Sequence, residues 1–351
     1  MDANSSDQFN PPYVTVPATD VYYSYAERQI LAAVIGTTAI LGVTGNALVI
    51  LAVLLSRKLR HTTNYFVLNL SVADLLTSLD LPLIVLSLLR GEWPLPDPIC
   101  VGSAIVVLTC LTVSINCLTC VALNRYILIT KPITVYRKIF TSRRTAIAIA
   151  FSWLFPLSVL LTAAGTGFIK LGFDPEFFVC TWIISQSNPG YYLVFFFTAM
   201  VAQFSAILWS YVCVFRHVRK HARAVGHMED GPTASVAPQA SRRIETDGPT
   251  ASNAAPAARR ERRHQNKLQI DVTKNLFFVV CVFTLCISPF GLSLVLQQHG
   301  RRLYPVGATI LACNSCVNPI IYAAKHPQFR SVFKAILLCR FSEIPERVRF
   351  C

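Results

Sequence analysis

Apolar residues along this chain come in long blocks, unlike the short alternations of strands or the broken stripes of surface helices. Seven blocks reach or exceed roughly 20 residues, the length at which a helix rising about 1.5 Å per residue crosses the hydrocarbon of a bilayer. They run over about 28–56, 63–89, 97–130, 143–164, 190–219, 268–297 and 303–324. Only Asp74 and Asp80 put a charge well inside one of them. This pattern predicts an all-α membrane protein, a seven-transmembrane helix bundle. A different pattern follows the last block: Phe329, Val332, Phe333, Ile336 and Leu337 fall at helical spacing with Arg330 and Lys334 between them. That spacing predicts a short amphipathic helix lying on the inner leaflet, followed by a short cytoplasmic tail, over 326–351.

Composition agrees, with 53% hydrophobic and 14% charged residues and a mean hydropathy of +0.49. Charge then orients the bundle. Arg57, Lys58 and Arg60 follow the first span; Lys131, Arg137, Lys138, Arg143 and Arg144 follow the third; Arg216, Arg219, Lys220 and Arg223 follow the fifth. The other side carries acids, among them Asp2, Asp7, Glu27, Glu92 and Glu176. Basic loops face the cytoplasm, so residues 1–27 form an extracellular tail and 28–325 the membrane domain. The tail has no signal-peptide pattern, and its Asn4-Ser5-Ser6 is a glycosylation sequon. Asn69-Leu70-Ser71 matches too, but sits in an apolar run and is not expected to carry sugar. The net charge of +14 comes without an aromatic-interleaved basic domain, which excludes nucleic acid as a partner. Cys117/Cys120 and Cys313/Cys316 lie in apolar runs and read as small buried thiols, not zinc ligands.

Between the fifth and sixth spans, "DGPTAS" occurs at Asp230–Ser235 and again at Asp247–Ser252, amid Ala, Pro and Arg. Too few aliphatic or aromatic residues are present to bury a core, so 224–266 is expected to be a disordered cytoplasmic loop. It reads as a plain linker or as a regulatory loop whose Thr233, Ser235, Ser241, Thr246, Thr250 and Ser252 accept phosphate. Cys339, at the end of the amphipathic stretch, reads as a palmitoylation site or an interfacial thiol.

One residue resists the hydropathy reading. An uncharged stretch from Cys100 to Leu123 ends in Asn124-Arg125-Tyr126, with a permanent cation and no acid beside it. With it go Gly45-Asn46, "LNLSVADLL" at Leu68–Leu76, Cys100, Trp153, Tyr211, Phe283, Pro289 and "NPIIY" at Asn318–Tyr322. That ordered set, one marker or more per span, resembles the rhodopsin-like (class A) G-protein-coupled receptors over about Arg28–Cys339. Within that family the "NRY" triplet and "NPIIYAAKHPQFR" resemble the melatonin receptors, the insect receptors moody and trapped-in-endoderm, and the medium-chain fatty-acid receptor.

The resemblance implies a plasma-membrane receptor, not an enzyme, that passes binding of an extracellular ligand to a heterotrimeric G protein, with arrestin and receptor kinases as further partners. It implies a disulfide between Cys100 and Cys180, free thiols being the alternative, with Trp93 packed beneath the outer loop. Activation falls to Asn124, Arg125, Tyr126, Tyr211, Phe283, Pro289, Asn318, Pro319 and Tyr322. Arg125 is expected at the inner mouth, neither facing lipid nor sealed in the core, its head reaching water or polar neighbours. The ligand pocket draws on Asp80, Val107, Leu108, Leu111, Phe178, Trp182, Tyr191, Phe195, Phe290, Leu294, Gln297 and Tyr304. Plain helix packing is the alternative for each aromatic. Val107 replaces the aspartate that amine receptors use, and no lysine in the seventh span could bind retinal. A small, neutral or lipid-like ligand fits such a pocket. Asp74 with Ser114, Asn314, Ser315 and Asn318 suits an allosteric sodium ion, a water network being the alternative; no other cofactor is expected. Ile287, Gln203 and Asn124 stand where relatives usually have tryptophan, proline and an acid, and Gln269 supplies no second acid. The rival class is a transporter or channel, against which the odd number of spans and the two intramembrane acids argue.

Overall fold

The computed structural model describes residues 23–183, 189–229, 254–296 and 303–348, excepting the side chains of 189–199, 221–229, 254–271, 294–295 and 327. In chain order its helices are α1 Tyr25–Leu55, α2 Thr62–Arg90, α3 Asp97–Thr130, α4 Ile133–Ile139, α5 Ser142–Gly165, α6 Pro189–Glu229, α7 Ala254–Leu296, α8 Tyr304–Lys325 and α9 Pro327–Leu337. All but α4 and α9 are long and apolar enough to cross a membrane, giving seven spans. Strand β1 (Leu171–Asp174) pairs antiparallel with β2 (Val179–Trp182) between α5 and α6.

Local chemistry fixes the helix ends. Ser24 and Glu27 form a reciprocal capping box at the start of α1. Two glycines mark close approaches: a Cβ on Gly45 would lie 2.8 Å from Pro319 Cβ, and one on Gly307 would lie 2.8 Å from the Phe290 backbone nitrogen. A side chain at either site would push α8 off α1 or α7. Asn46 reinforces the first contact, its amide donating to the carbonyls of Gly42 (2.9 Å) and Ser315 (2.7 Å). The main core centres on Val113, Leu118 and Val121 of α3, packed with Phe66 and Leu70 of α2 and Val279 and Phe283 of α7.

One expectation needs correction, and the segment after the seventh span adds detail. The segment 224–266 is not irregular throughout, because α6 continues to Glu229 and α7 begins at Ala254; residues 230–253 lie outside the description. Ala, Arg, Glu and Gln cannot build a core, yet they are strong helix formers and extend a helix that already exists. The amphipathic helix after the seventh span forms as expected, as α9, and it does not lie on lipid alone. Phe329, Val332 and Phe333 of α9 are buried against the bundle, and only Leu337 is strongly exposed, at 70%. The tail does not hang free either. Ser56 Oγ donates to the Pro345 carbonyl (2.7 Å), Arg57 N to the Glu346 carbonyl (3.0 Å) and Val348 N to the Leu55 carbonyl (2.9 Å), with Ile344 buried above α9. Cys339 is exposed, and Asn4 lies outside the described residues.

Candidate functional site

At the outer end, Cys180 of β2 is disulfide-bonded to Cys100 in the first turn of α3, which holds the hairpin across the bundle. Trp93 packs on Phe173 of β1, ring centroids 6.2 Å apart. Beneath the hairpin is a cavity of about 120 Å³. Val107, Leu108 and Leu111 of α3, Phe290 of α7 and Tyr304 of α8 line it, as the sequence suggested. Trp182 packs with Phe290 and Tyr304. Asp80 does not join them: it is buried and accepts a 2.8 Å bond from Ser103 Oγ, so its charge braces α2 on α3. Phe178 is also turned away, with φ 56, its ring against Ala32, Ile35 and Arg28 of α1 and its carbonyl bonded by Ser87. The side chains of Tyr191, Phe195 and Leu294, and all of Gln297, lie outside the described residues. The sequence reading missed Phe177, stacked on Tyr304 at 4.0 Å, and the α8 stripe Ala308, Leu311 and Ala312. Their spacing from Tyr304 by four, seven and eight residues was the available signal.

The same cavity reaches down to Asp74, Ser114, Asn314 and Ser315. Asp74 is buried; Asn318 Nδ2 donates to one carboxylate oxygen (2.8 Å) and Ser114 Oγ to the other (3.4 Å). Asn314 Oδ1 is buried nearby without a hydrogen-bond partner. A carboxylate, a hydroxyl and an orphaned amide oxygen around one cavity are the hard oxygen donors that an alkali cation takes, so these residues fit the expected ion.

At the inner end the arrangement differs from the expected one. Arg125 is 2% exposed, sealed in the core instead of reaching water. Tyr211 and Tyr136 lie in its electrostatic reach, as do His61, before α2, and His326, after α8. The packing of the bundle thus encloses Arg125, with His326 buried in the turn after α8 and His61 exposed before α2. Burial, and then the Arg125 charge, lower the pKa of both histidines, His326 to about 4. Asn124 is fully buried and bridges elements: Thr63 Oγ1 donates to its Oδ1 (2.7 Å), and its Nδ2 donates to the Tyr136 hydroxyl (3.2 Å). Neither partner was foreseen.

Tyr126 faces another way, its ring 4.7 Å from the exposed Trp209. Tyr211 is buried with its hydroxyl unbonded and its ring 5.0 Å from Phe277. Tyr322 stacks on Phe329 at 5.5 Å, which couples α8 to α9. Phe283, 6.4 Å from Phe204, and Ile287 sit in the core, while Pro289 and Pro319 lie within α7 and α8. Asn69 is not available for sugar: it is buried, donates to Ser152 and accepts from Trp153 Nε1 (2.8 Å).

Comparison with known proteins gives the same picture. The model of the 7 transmembrane receptor (rhodopsin family) matches residues 45–322. The mouse melatonin receptor type 1B is 30% identical over 88% of this chain and 78% of its own length. The rabbit alpha-1A adrenergic receptor is 28% identical over 96% and 72%, and melanopsin-B of Gadus morhua 29% over 86% and 47%. In fold, squid rhodopsin superposes with a TM-score of 0.75 over 97% of this chain and 98% of that one, at 19% identity. With a family match spanning most of the chain and a melatonin receptor among its relatives, this protein is a member of the rhodopsin family of seven-transmembrane receptors.

Proposed function

We propose that the protein is a plasma-membrane receptor, N-terminus outside, that converts binding of an extracellular ligand into activation of a heterotrimeric G protein. The observation that carries this reading is one cavity running from the hairpin-covered pocket at Phe290 and Tyr304 to the buried carboxylate of Asp74. A ligand seated there touches α3, α7 and α8 together, and can favour one helix packing over another by its differential affinity for the two. The walls are aliphatic and aromatic with few polar groups, which suits a small neutral or lipid-like ligand better than an amine. Asp74, Ser114, Asn314, Ser315 and Asn318 would hold a sodium ion; the ion would supply a positive charge to balance the carboxylate.

At the other end, Arg125 is buried and must be uncovered before a G protein can reach it, which requires the helices around it to part. Arrestin and receptor kinases would act on the same inner face. Purified receptor in lipid discs, mixed with a panel of G proteins and screened for ligand-dependent nucleotide exchange, tests the reading. Exchange above the receptor-free rate supports it. Ligand-driven solute flux in sealed vesicles without exchange on any G protein would replace it with a transporter.

A further inference from the structure

A second cavity, of about 750 Å³, lies at the inner ends of α6 and α7, apart from the ligand pocket. On α6 its wall is Leu208, Val212 and Phe215, spaced four and three residues apart and therefore on one stripe of the helix. Arg219, four residues further, ends that stripe, with Arg216 and Lys220 beside it. Phe277 and Lys274 form the facing wall on α7. Leu208 and Phe215 are 64% and 63% exposed and Phe277 45%, so the groove opens on the outer, lipid-facing side of the bundle. Leu208 to Arg219 spans about 16 Å of helix, the reach of much of one acyl chain. At the floor, Tyr211 is 5% exposed and its hydroxyl has no hydrogen-bond partner. It sits about 7.5 Å of helix rise outward from Arg216, the level at which ester carbonyls lie beneath a headgroup phosphate.

We infer that this groove binds one anionic phospholipid of the inner leaflet: an acyl chain along Leu208, Val212 and Phe215, the phosphate on Arg216, Arg219 and Lys220, and an ester oxygen accepting from Tyr211. A tail-only ligand would leave the cations unused, and a soluble anion would leave the apolar stripe bare. No described side chain lining the groove is acidic, so these cations compete with no internal carboxylate for the headgroup. Anionic lipids give the cytoplasmic leaflet its negative surface potential, which attracts clustered Arg and Lys at this depth. The inference rests on the membrane orientation proposed above and not on the ligand or the G protein.

The test places full-length receptor in phosphatidylcholine discs with a trace of phosphatidylinositol bisphosphate carrying a photoreactive group in its acyl chain. Crosslinks are expected on Leu208–Phe215 and around Phe277, and the same chain on a phosphatidylcholine headgroup should label at background. Replacing Arg216, Arg219 and Lys220 together with Gln should lower the yield about tenfold or more. Val212→Trp, which fills the groove and keeps every charge, should lower it comparably. Labelling spread evenly around the bundle, a yield indifferent to Val212→Trp, or full competition by soluble inositol phosphate would overturn the site, as would its displacement by a G-protein peptide in place of lipid. The crosslink map of the unmutated protein stands even if a variant fails to fold. An impermeant reagent reaching an Arg219→Cys receptor from outside intact cells would overturn the orientation, whereas absent nucleotide exchange would leave the lipid result untouched.

Discussion

Asp74, midway along the bundle, and Arg125, at its inner end, are each 2% exposed, and they are housed in opposite ways. Asp74 borders a cavity and holds two hydrogen bonds, with the spare oxygen of Asn314 close by. Arg125 has side chains packed around it, and its neighbour Asn124 is fastened to α2 and α4. A carboxylate beside a cavity can exchange an ion or water without any helix moving. A guanidinium under close-packed side chains can change partners only when helices move, because a packed interior switches between arrangements and does not stretch. Under the proposed function, the middle layer would set the balance between two packings, and the inner layer would report which is present.

The comparison breaks first at Arg125. Arg125→Ala should reduce G-protein nucleotide exchange to the receptor-free rate while ligand binding persists, measured on purified receptor in lipid discs. Exchange kept within a few-fold of the parent would remove Arg125 from the reporting layer. At the middle layer, agonist affinity should fall as sodium replaces potassium, by about tenfold given ordinary coupling energies. Asp74→Asn should flatten that dependence; equal affinities in the two salts for the unmutated protein would leave Asp74 without an ion to hold.

A smaller effect sharpens the inner layer. Asn124 gives its neighbourhood only neutral bonds, and a charge-assisted bond to an adjacent arginine is about twice as strong. The packing described here is favoured less by about 1 kcal/mol than with an acid at 124, roughly fivefold in population. Basal signalling should therefore be measurable, and Asn124→Asp should lower it about fivefold at matched surface expression. Thr63→Val, which takes the 2.7 Å bond away from Asn124, should raise it. Basal signalling raised by Asn124→Asp, or lowered by Thr63→Val, would mean that Asn124 does not hold this packing.

The smallest effect is in acid. His326 takes up a proton near pH 4 when folded and near 6.5 when unfolded. Between those values the unfolded chain binds more protons, so stability falls as pH drops from 6.5 toward 4. His61 adds to the loss with the same sign. From pH 7.5 to 5.5 the His326 contribution is about 1 kcal/mol. Thermal unfolding in detergent should show a lower midpoint at pH 5.5, and His326→Gln should recover part of the difference. A midpoint equally depressed in that variant would assign the acid sensitivity elsewhere.

The bundle and its family were readable in the sequence because a bilayer imposes long apolar runs and because the markers at Asn46, Asp74, Arg125 and Asn318 keep a fixed order. On α3 the resemblance placed Val107, Leu108 and Leu111 at the pocket, and all three line the cavity. The pocket was not readable at Phe178, because a left-handed backbone turns that side chain toward α1. Asp80 was misplaced for a related reason: its partner Ser103 lies on another helix, and no spacing within α2 points to it. The sealing of Arg125 was hidden too. It depends on packing between helices, which a hydropathy pattern does not show. Strands of four residues, such as β1 and β2, are too short for alternation to stand out.

The pairing of the tail with the first inner turn ties together residues that leave the ribosome far apart in time. Ser56 and Pro345 are 289 positions apart. At the usual ~5–20 residues per second, the Ser56 hydroxyl waits on the order of 15–60 s for its carbonyl partner. The first span can therefore insert at once, but its cytoplasmic end is finished only once Pro345 has emerged. A stop codon placed at Arg340 would leave every span intact and still release a chain whose oldest helix was never closed off.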